Sequence, residues 1–309
     1  MPIFGEDERA IEESTRKAMS AQARTVDGFL GADAGWTEVS EQGWPLILVD
    51  EDSGGFGLSM RHAVVVVREL GRAGCTWPVG PTLAAARVLA RHALDLDLTQ
   101  QLLEGGGPLV AAALASDGPS FAPRSATTLG YLIPDQATQD GLRLVDAPDS
   151  APPTGVTLLD GSEAVWLDLI ASHEGHALPQ GSALMRQTLG LLVAAECLGI
   201  AEDVLDRSVD YLKVRNQFGQ PIGKFQVLQH RAADMYAKVQ ALQALVFEAA
   251  TADSGPRGEF ASRAALALAR RSVISLCNDA IQLHGAIGYT DECVIGHRLR
   301  RAIVLLSTP

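Results

Sequence analysis

Beyond residue 179 the sequence is built from long stretches of helical periodicity joined only by short Gly/Pro breaks, and that pattern commits this part of the chain to a helical bundle. One continuous helix is expected over residues 182–214, about 50 Å long. Gly219, Pro221 and Gly223 turn the chain, and further helices are expected over 225–250, 260–283 and 292–306. The apolar set is mainly Ala and Leu and only 5% of residues are aromatic, a mix that favours helix over strand.

The amino-terminal part also reads as helical, over 5–28, 36–48 with Trp44–Pro45 interrupting it, 60–72, 82–92 and 98–103, with Gly54, Gly55 and Gly57 marking a tight turn. Between these helical regions the texture changes. GYLIPD, GLRLVDAP, GVTLLDG and AVWLDLIA are short apolar runs separated by Gly, Pro and Asp, as expected of strands in one small twisted antiparallel sheet. The predicted fold is therefore α+β and mainly α. It comprises an N-terminal helical domain over 1–107, a reduced middle β domain over 108–178 and a C-terminal four-helix bundle over 179–309.

Several function classes are disfavoured. A formal charge of −12 does not suit a nucleic-acid partner, whose phosphates need a basic surface. The spacing of Cys75, Cys197, Cys277 and Cys293 matches no zinc or redox motif, so no metal is expected and the thiols read as reduced. His-Glu-x-x-His and Gly-x-Ser-x-Gly are both absent. The acidic start MPIFGEDERAIEES is no signal peptide, and no apolar run is long enough for a membrane span, so the expected location is the cytoplasm.

Two segments carry chemistry. In YLKVRNQFGQPIGKFQVLQHRAADM, Arg215 falls at a helix end, followed by Phe218 and Gly219 in a turn and by Phe225 and Gln226 at the start of the next helix. A cation, an aromatic face and an amide at one helix–turn–helix corner suit a pyrophosphate and an adenine. The alternative is an ordinary helical hairpin whose Arg215 pairs with a surface carboxylate. In IQLHGAIGYTDE, Gln282 precedes Gly285 and Gly288, which let backbone approach a ligand closely or simply turn the chain. His284 reads as a structurally satisfied histidine at a helix end.

Together these segments closely resemble acyl-CoA dehydrogenases. The first is similar to the family's Arg-x-x-Phe-Gly-x-Pro-Ile stretch through Arg215, Phe218, Gly219, Pro221, Ile222, Phe225 and Gln226. The second is similar to Gln-x-x-Gly-Gly-x-Gly-Tyr through Gln282, Gly285, Gly288 and Tyr289, with Ala286 where a glycine is usual. GWPLILVDEDSGGFGL and RELGRAG resemble further motifs of the family's amino-terminal part, with Val49 and Asp50 in a Pro-Glu position. The resemblance implies FAD as cofactor, held by Arg215, Phe218 and Gln226. It also implies that Gln282, Gly285 and Gly288 complete the site from a neighbouring subunit. Its further implications are an acyl-CoA substrate oxidised to enoyl-CoA, hydride transfer to flavin N5, and an electron acceptor such as an electron-transfer flavoprotein.

The pattern breaks in two places. The family's flavin-wrapping Thr-Glu-Pro-x-Ala-Gly-Ser-Asp loop and its Gly-x-Lys-x-x-Ile strand are missing between Leu109 and Ala177. Such reduced middle domains resemble the small subunits of actinobacterial steroid-degrading α2β2 heterotetramers, which implies a role in lipid or steroid metabolism. The catalytic Glu that most of the family carries after its last helix falls beyond Pro309, and the alternative position on the first bundle helix is occupied by Leu189. Glu196, two turns further along that helix in an apolar run, is the candidate general base. Its other reading is a carboxylate that caps a buried arginine or a backbone group. A homodimer or homotetramer is expected, or a heterotetramer in which the chain is a non-catalytic subunit completing the flavin site of a homologous chain.

Overall fold

The computed structural model of the chain describes residues 4–21, 35–113, 120–135, 137–147, 155–253 and 255–307. The described part of the expected first helix, α1, runs Glu6–Ala21, and its expected continuation to residue 28 lies outside the described residues. Helices α2 (Trp36–Glu41), α3 (Met60–Ala73), α4 (Val79–His92) and α5 (Asp97–Leu103) follow. Pro45 converts the end of the expected 36–48 helix into a separate 3₁₀ turn, Trp44–Leu46. Among the described residues of the middle, seven strands and a short helix follow: β1 (Leu109–Ala111), β2 (Phe121–Pro123), β3 (Gly130–Pro134), β4 (Leu142–Asp146), β5 (Val156–Thr157), β6 (Glu163–Trp166), α6 (Leu167–Ala171) and β7 (His176–Leu178). Helix α7 spans Ser182–Val214, and a small hairpin, β8 (Asn216–Gln217) and β9 (Gln220–Pro221), leads into α8 (Gln226–Ala252). Helices α9 (Gly255–His284) and α10 (Val294–Ser307) complete the four-helix set.

The fold is the α+β arrangement expected, with a correction in the middle. The described residues there form two sheets instead of one: β1-β3-β4-β7 and β2-β6-β5. The pairing of β1 with β3 is parallel, because the chain visits β2 in the other sheet between them. AVWLDLIA is half strand and half helix, since Leu167–Ala171 forms α6.

The described residues divide into two compact units. The unit of residues 31–63 and 76–193 holds both sheets, α4, α5 and the start of α7. Its four-stranded sheet is buried on both faces, and side chains alternate between them as strand geometry requires. Leu109, Leu132, Leu142 and Leu144 point into a core with Ala85, Leu89 and Leu189. Val110, Tyr131, Ile133 and Val145 point into a second core with Ala122, Val165 and Ile170. Burial pushes the Tyr131 hydroxyl up to a pKa of about 12.

The other unit comprises residues 1–30, 64–75 and 194–306: α1, most of α3, the later part of α7, and α8, α9 and α10. Here α3 and α7 touch backbone to backbone. A Cβ on Gly71 would lie 2.2 Å from the Glu196 carbonyl oxygen, and one on Gly199 would lie 1.9 Å from that of Arg68. The contact is fastened by charge. Arg68 Nε donates to Glu202 Oε2 at 2.7 Å, and Arg72 Nη2 donates to Asp206 Oδ2 at 2.7 Å. On the opposite side Arg298 of α10, fully buried, donates from Nε to Asp203 Oδ2 at 2.8 Å and from Nη2 to the Arg72 carbonyl at 2.8 Å. Within RELGRAG, Arg68 and Arg72 pair with carboxylates of α7, Gly71 lets the two helices close, and Gly74 leaves room for the Arg298 guanidinium. The buried thiols of Cys197 and Cys277 are held protonated by desolvation, Cys277 at a pKa of about 12, in keeping with unreactive side chains.

Candidate functional site

The site builds from the carboxyl end of α7. Arg215 follows the last helical residue, and its amide donates to the Tyr211 carbonyl at 2.9 Å. Its own carbonyl accepts from the Ile222 amide at 2.8 Å, which closes the β8–β9 hairpin around it. The guanidinium is exposed and forms no ion pair or side-chain hydrogen bond among the described residues, so the surface-carboxylate alternative is not what this geometry displays.

The hairpin tip is strained where it presents an aromatic ring. Phe218 has φ 53°, a left-handed conformation that costs a bulky residue free energy, and Gly219 follows at 79°. The Phe218 ring is 90% exposed and touches Phe225 edge-to-face at 6.0 Å. Phe225 is also the N-cap of α8 and has no side-chain oxygen to cap it, so the first amides of a 27-residue helix lack a side-chain cap. Gln226, the first residue of that helix, is exposed. An open cation, an uncapped helix start and a bare ring share one corner.

The second motif forms a 3₁₀ turn, Gly285–Tyr289, at the end of α9. Its glycines do different work. Gly285 adopts φ 68° and faces open space, whereas a Cβ on Gly288 would lie 2.6 Å from the Ile281 carbonyl oxygen. Gly288 is therefore a packing glycine within its own turn, and Gly285 is the one open to a ligand. Gln282 donates from Nε2 to the Tyr289 hydroxyl across the turn, and both side chains are exposed. His284 is satisfied as a helix-end histidine: Nδ1 donates to the Ala280 carbonyl at 2.8 Å. Its ring stacks on Tyr211 at 4.4 Å, and its carbonyl accepts from the Tyr211 hydroxyl at 3.2 Å. Tyr211 precedes Arg215 by one helical turn, so the two motifs stand at the same end of one bundle. Sequence reasoning missed this link; a Tyr one turn before the Arg and a His one residue before the glycine were the available signal.

Glu196 lies elsewhere. Its Oε1 accepts from Arg301 Nε at 2.8 Å and Nη2 at 2.7 Å, with both side chains buried. This matches the arginine-capping reading of Glu196 and leaves its carboxylate engaged. Leu189 lies in the core under the four-stranded sheet. Among the described residues no cluster of His, Cys, Asp and Glu could hold a metal ion, and no helix is long and apolar enough to cross a membrane.

Residues 5–97 match the model of the acyl-CoA dehydrogenase N-terminal domain, and residues 182–306 match that of the C-terminal domain. An acyl-CoA dehydrogenase of Mycobacterium tuberculosis, IpdE2, is 30% identical over 305 residues, covering 93% of this chain and 88% of its own. Among solved structures, a steroid acyl-CoA dehydrogenase variant, Tcur3481-Tcur3483, superposes with a TM-score of 0.82 at 24% identity, covering 97% of this chain and 93% of that one. The ChsE4-ChsE5 complex from Mycobacterium tuberculosis gives 0.81 at 18% identity, covering 100% and 95%. The chain belongs to the acyl-CoA dehydrogenase family.

Proposed function

We propose that this chain is a FAD-binding subunit in the α,β-dehydrogenation of an acyl-CoA thioester to the enoyl-CoA. The observation that carries the reading is the α7–α8 corner: an unpaired Arg215 beside a strained, exposed Phe218 and an uncapped helix start. Natural chains keep strain and bare aromatic surface where a ligand uses them.

The residues fit the dinucleotide half of FAD. Arg215 would pair with the pyrophosphate in a charge-assisted contact, helped by the first amides of α8 and by Gln226. Phe218 offers a face to an adenine, and Gln282 with the open Gly285 completes the surface from the same chain, through the Tyr211–His284 link, rather than from a neighbouring subunit as the resemblance implied. Bound flavin would supply the acceptor for the hydride lost from the substrate β-carbon. The chain's part is to bind and orient that cofactor. Arg215→Ala should lower FAD affinity at least about tenfold, read by equilibrium dialysis of the full chain. Unchanged retention would sink the assignment.

A second reading is favoured by one observation. Glu196 is engaged by Arg301, so the base that removes the α-proton would come from a homologous chain whose flavin site this subunit completes. Anaerobic flavin bleaching by acyl-CoA substrates separates the two readings. If this chain supplies the base, Glu196→Gln slows bleaching by a factor of about 100 or more. If a partner does, the variant bleaches at the wild-type rate.

Val214, Phe218, Ile287 and Tyr289 are all exposed at this end of the bundle, which supports an assembly that covers them. The structures that superpose on this chain include one described as a complex, in keeping with a heteromeric assembly. Light scattering at micromolar concentration should give a dimer or tetramer mass. A stable 32.7 kDa monomer would count against it.

A further inference from the structure

We infer that Tyr211 is a positioning residue that fixes the Gly285–Tyr289 turn to the Arg215 end of α7, so that both meet one nucleotide pyrophosphate as a single preformed surface. The inference deepens the FAD reading above and rests on it for the identity of the ligand.

The chain of contacts is continuous. Arg215 is tied to Tyr211 by the last helical hydrogen bond of α7, at 2.9 Å. The Tyr211 hydroxyl donates to the His284 carbonyl at 3.2 Å, and the two rings stack at 4.4 Å with 25° between their planes. His284 is locked from behind by its Nδ1 bond to Ala280, and Gly285 follows immediately in its left-handed conformation. The His284 carbonyl lies where α9 passes into the Gly285–Tyr289 turn, of which His284 is the N-cap. Tyr211 donates to it from another helix. That bond therefore sets where the turn begins, relative to Arg215. Pre-set geometry of this kind lowers the ordering cost of binding. Tyr211 faces the turn's backbone rather than the open side of the corner, so its effect reaches a ligand through the turn.

Tyr211→Phe keeps the ring and its stack on His284 and removes only the hydroxyl. Hydrogen exchange on the full-length chain without ligand should show the amides of residues 285–289 exchanging about tenfold faster in the variant, with the middle of α9 and the urea midpoint unchanged. Unaltered exchange in the turn would overturn the proposal. In FAD titrations, Tyr211→Phe should weaken binding about fivefold in the wild-type background. It should have no further effect in a Gln282→Ala background, where the turn's own contact is already gone. Equal losses in both backgrounds would overturn the proposal, because they would mean that Tyr211 does not act through the turn. A wild type that binds no FAD would refute the cofactor reading instead, and the ligand-free exchange result would still decide the role of Tyr211.

Discussion

Arg301→Ala is expected to destabilise the full chain by about 3–5 kcal/mol in urea denaturation, the cost of leaving a buried carboxylate without its partner. Arg301 places both Nε and Nη2 on Glu196 Oε1 at 2.8 and 2.7 Å, and the two side chains are only 7% and 8% exposed. At that burial solvent screening is slight. Removing one partner strands the other, whereas replacing both with apolar residues of similar size need not. The double variant Glu196→Leu with Arg301→Met should therefore be clearly more stable than Arg301→Ala alone. A loss below about 1 kcal/mol for Arg301→Ala would show that the pair contributes little and would return Glu196 to consideration as a free carboxylate.

Gly199→Ala is expected to cost about 3 kcal/mol or more, a large effect for one methyl group. The added carbon would stand 1.9 Å from the Arg68 carbonyl oxygen and 2.8 Å from the Arg72 amide nitrogen, both backbone atoms of α3. No side-chain rotamer can relieve that contact; α3 and α7 must separate, and the arginine pairs with Glu202 and Asp206 lengthen with them. Gly71→Ala should behave alike from the other side of the crossing. Gly296→Ala on α10 is the control. Its Cβ would meet nothing within 4 Å, so better helix propensity should stabilise by about 0.5–1 kcal/mol. If Gly199→Ala is as benign as Gly296→Ala, the close α3–α7 crossing is wrong.

The long helices were legible because period and punctuation agree along them. The boundaries of α7 follow from Gly181 and Pro179 before it and Asn216–Gly219 after it, all local signals. The Arg215 corner was legible for the same reason, since its residues sit within a dozen positions of one another. What stayed hidden depends on partners distant in sequence. Glu196 stands in an apolar run, and nothing local to it announces Arg301, 105 residues away, which donates to its carboxylate. Three arginines crowd the middle of α10, and two of them, Arg298 and Arg301, are buried and reach carboxylates of α7. The middle strands misled because a sheet buried on both faces shows no alternation of polarity, so nothing in the sequence marked the change of sheet at β2. The role of Gly288 was likewise beyond local reading: its close neighbour is a carbonyl of its own helix end and not a ligand.

These placements give a consistent account of one chain. Its ion pairs close a helical unit, and that unit holds two cofactor motifs at a common end. The central claim is that residues 214–226 and 282–289 form one FAD surface. Hydrogen exchange of the full-length chain, alone and together with a homologous acyl-CoA dehydrogenase subunit, with and without FAD, tests it most directly. The account predicts that FAD protects both segments together while the amides around Glu196 are unchanged. Protection of neither segment, in the chain alone or in the mixture, would contradict it.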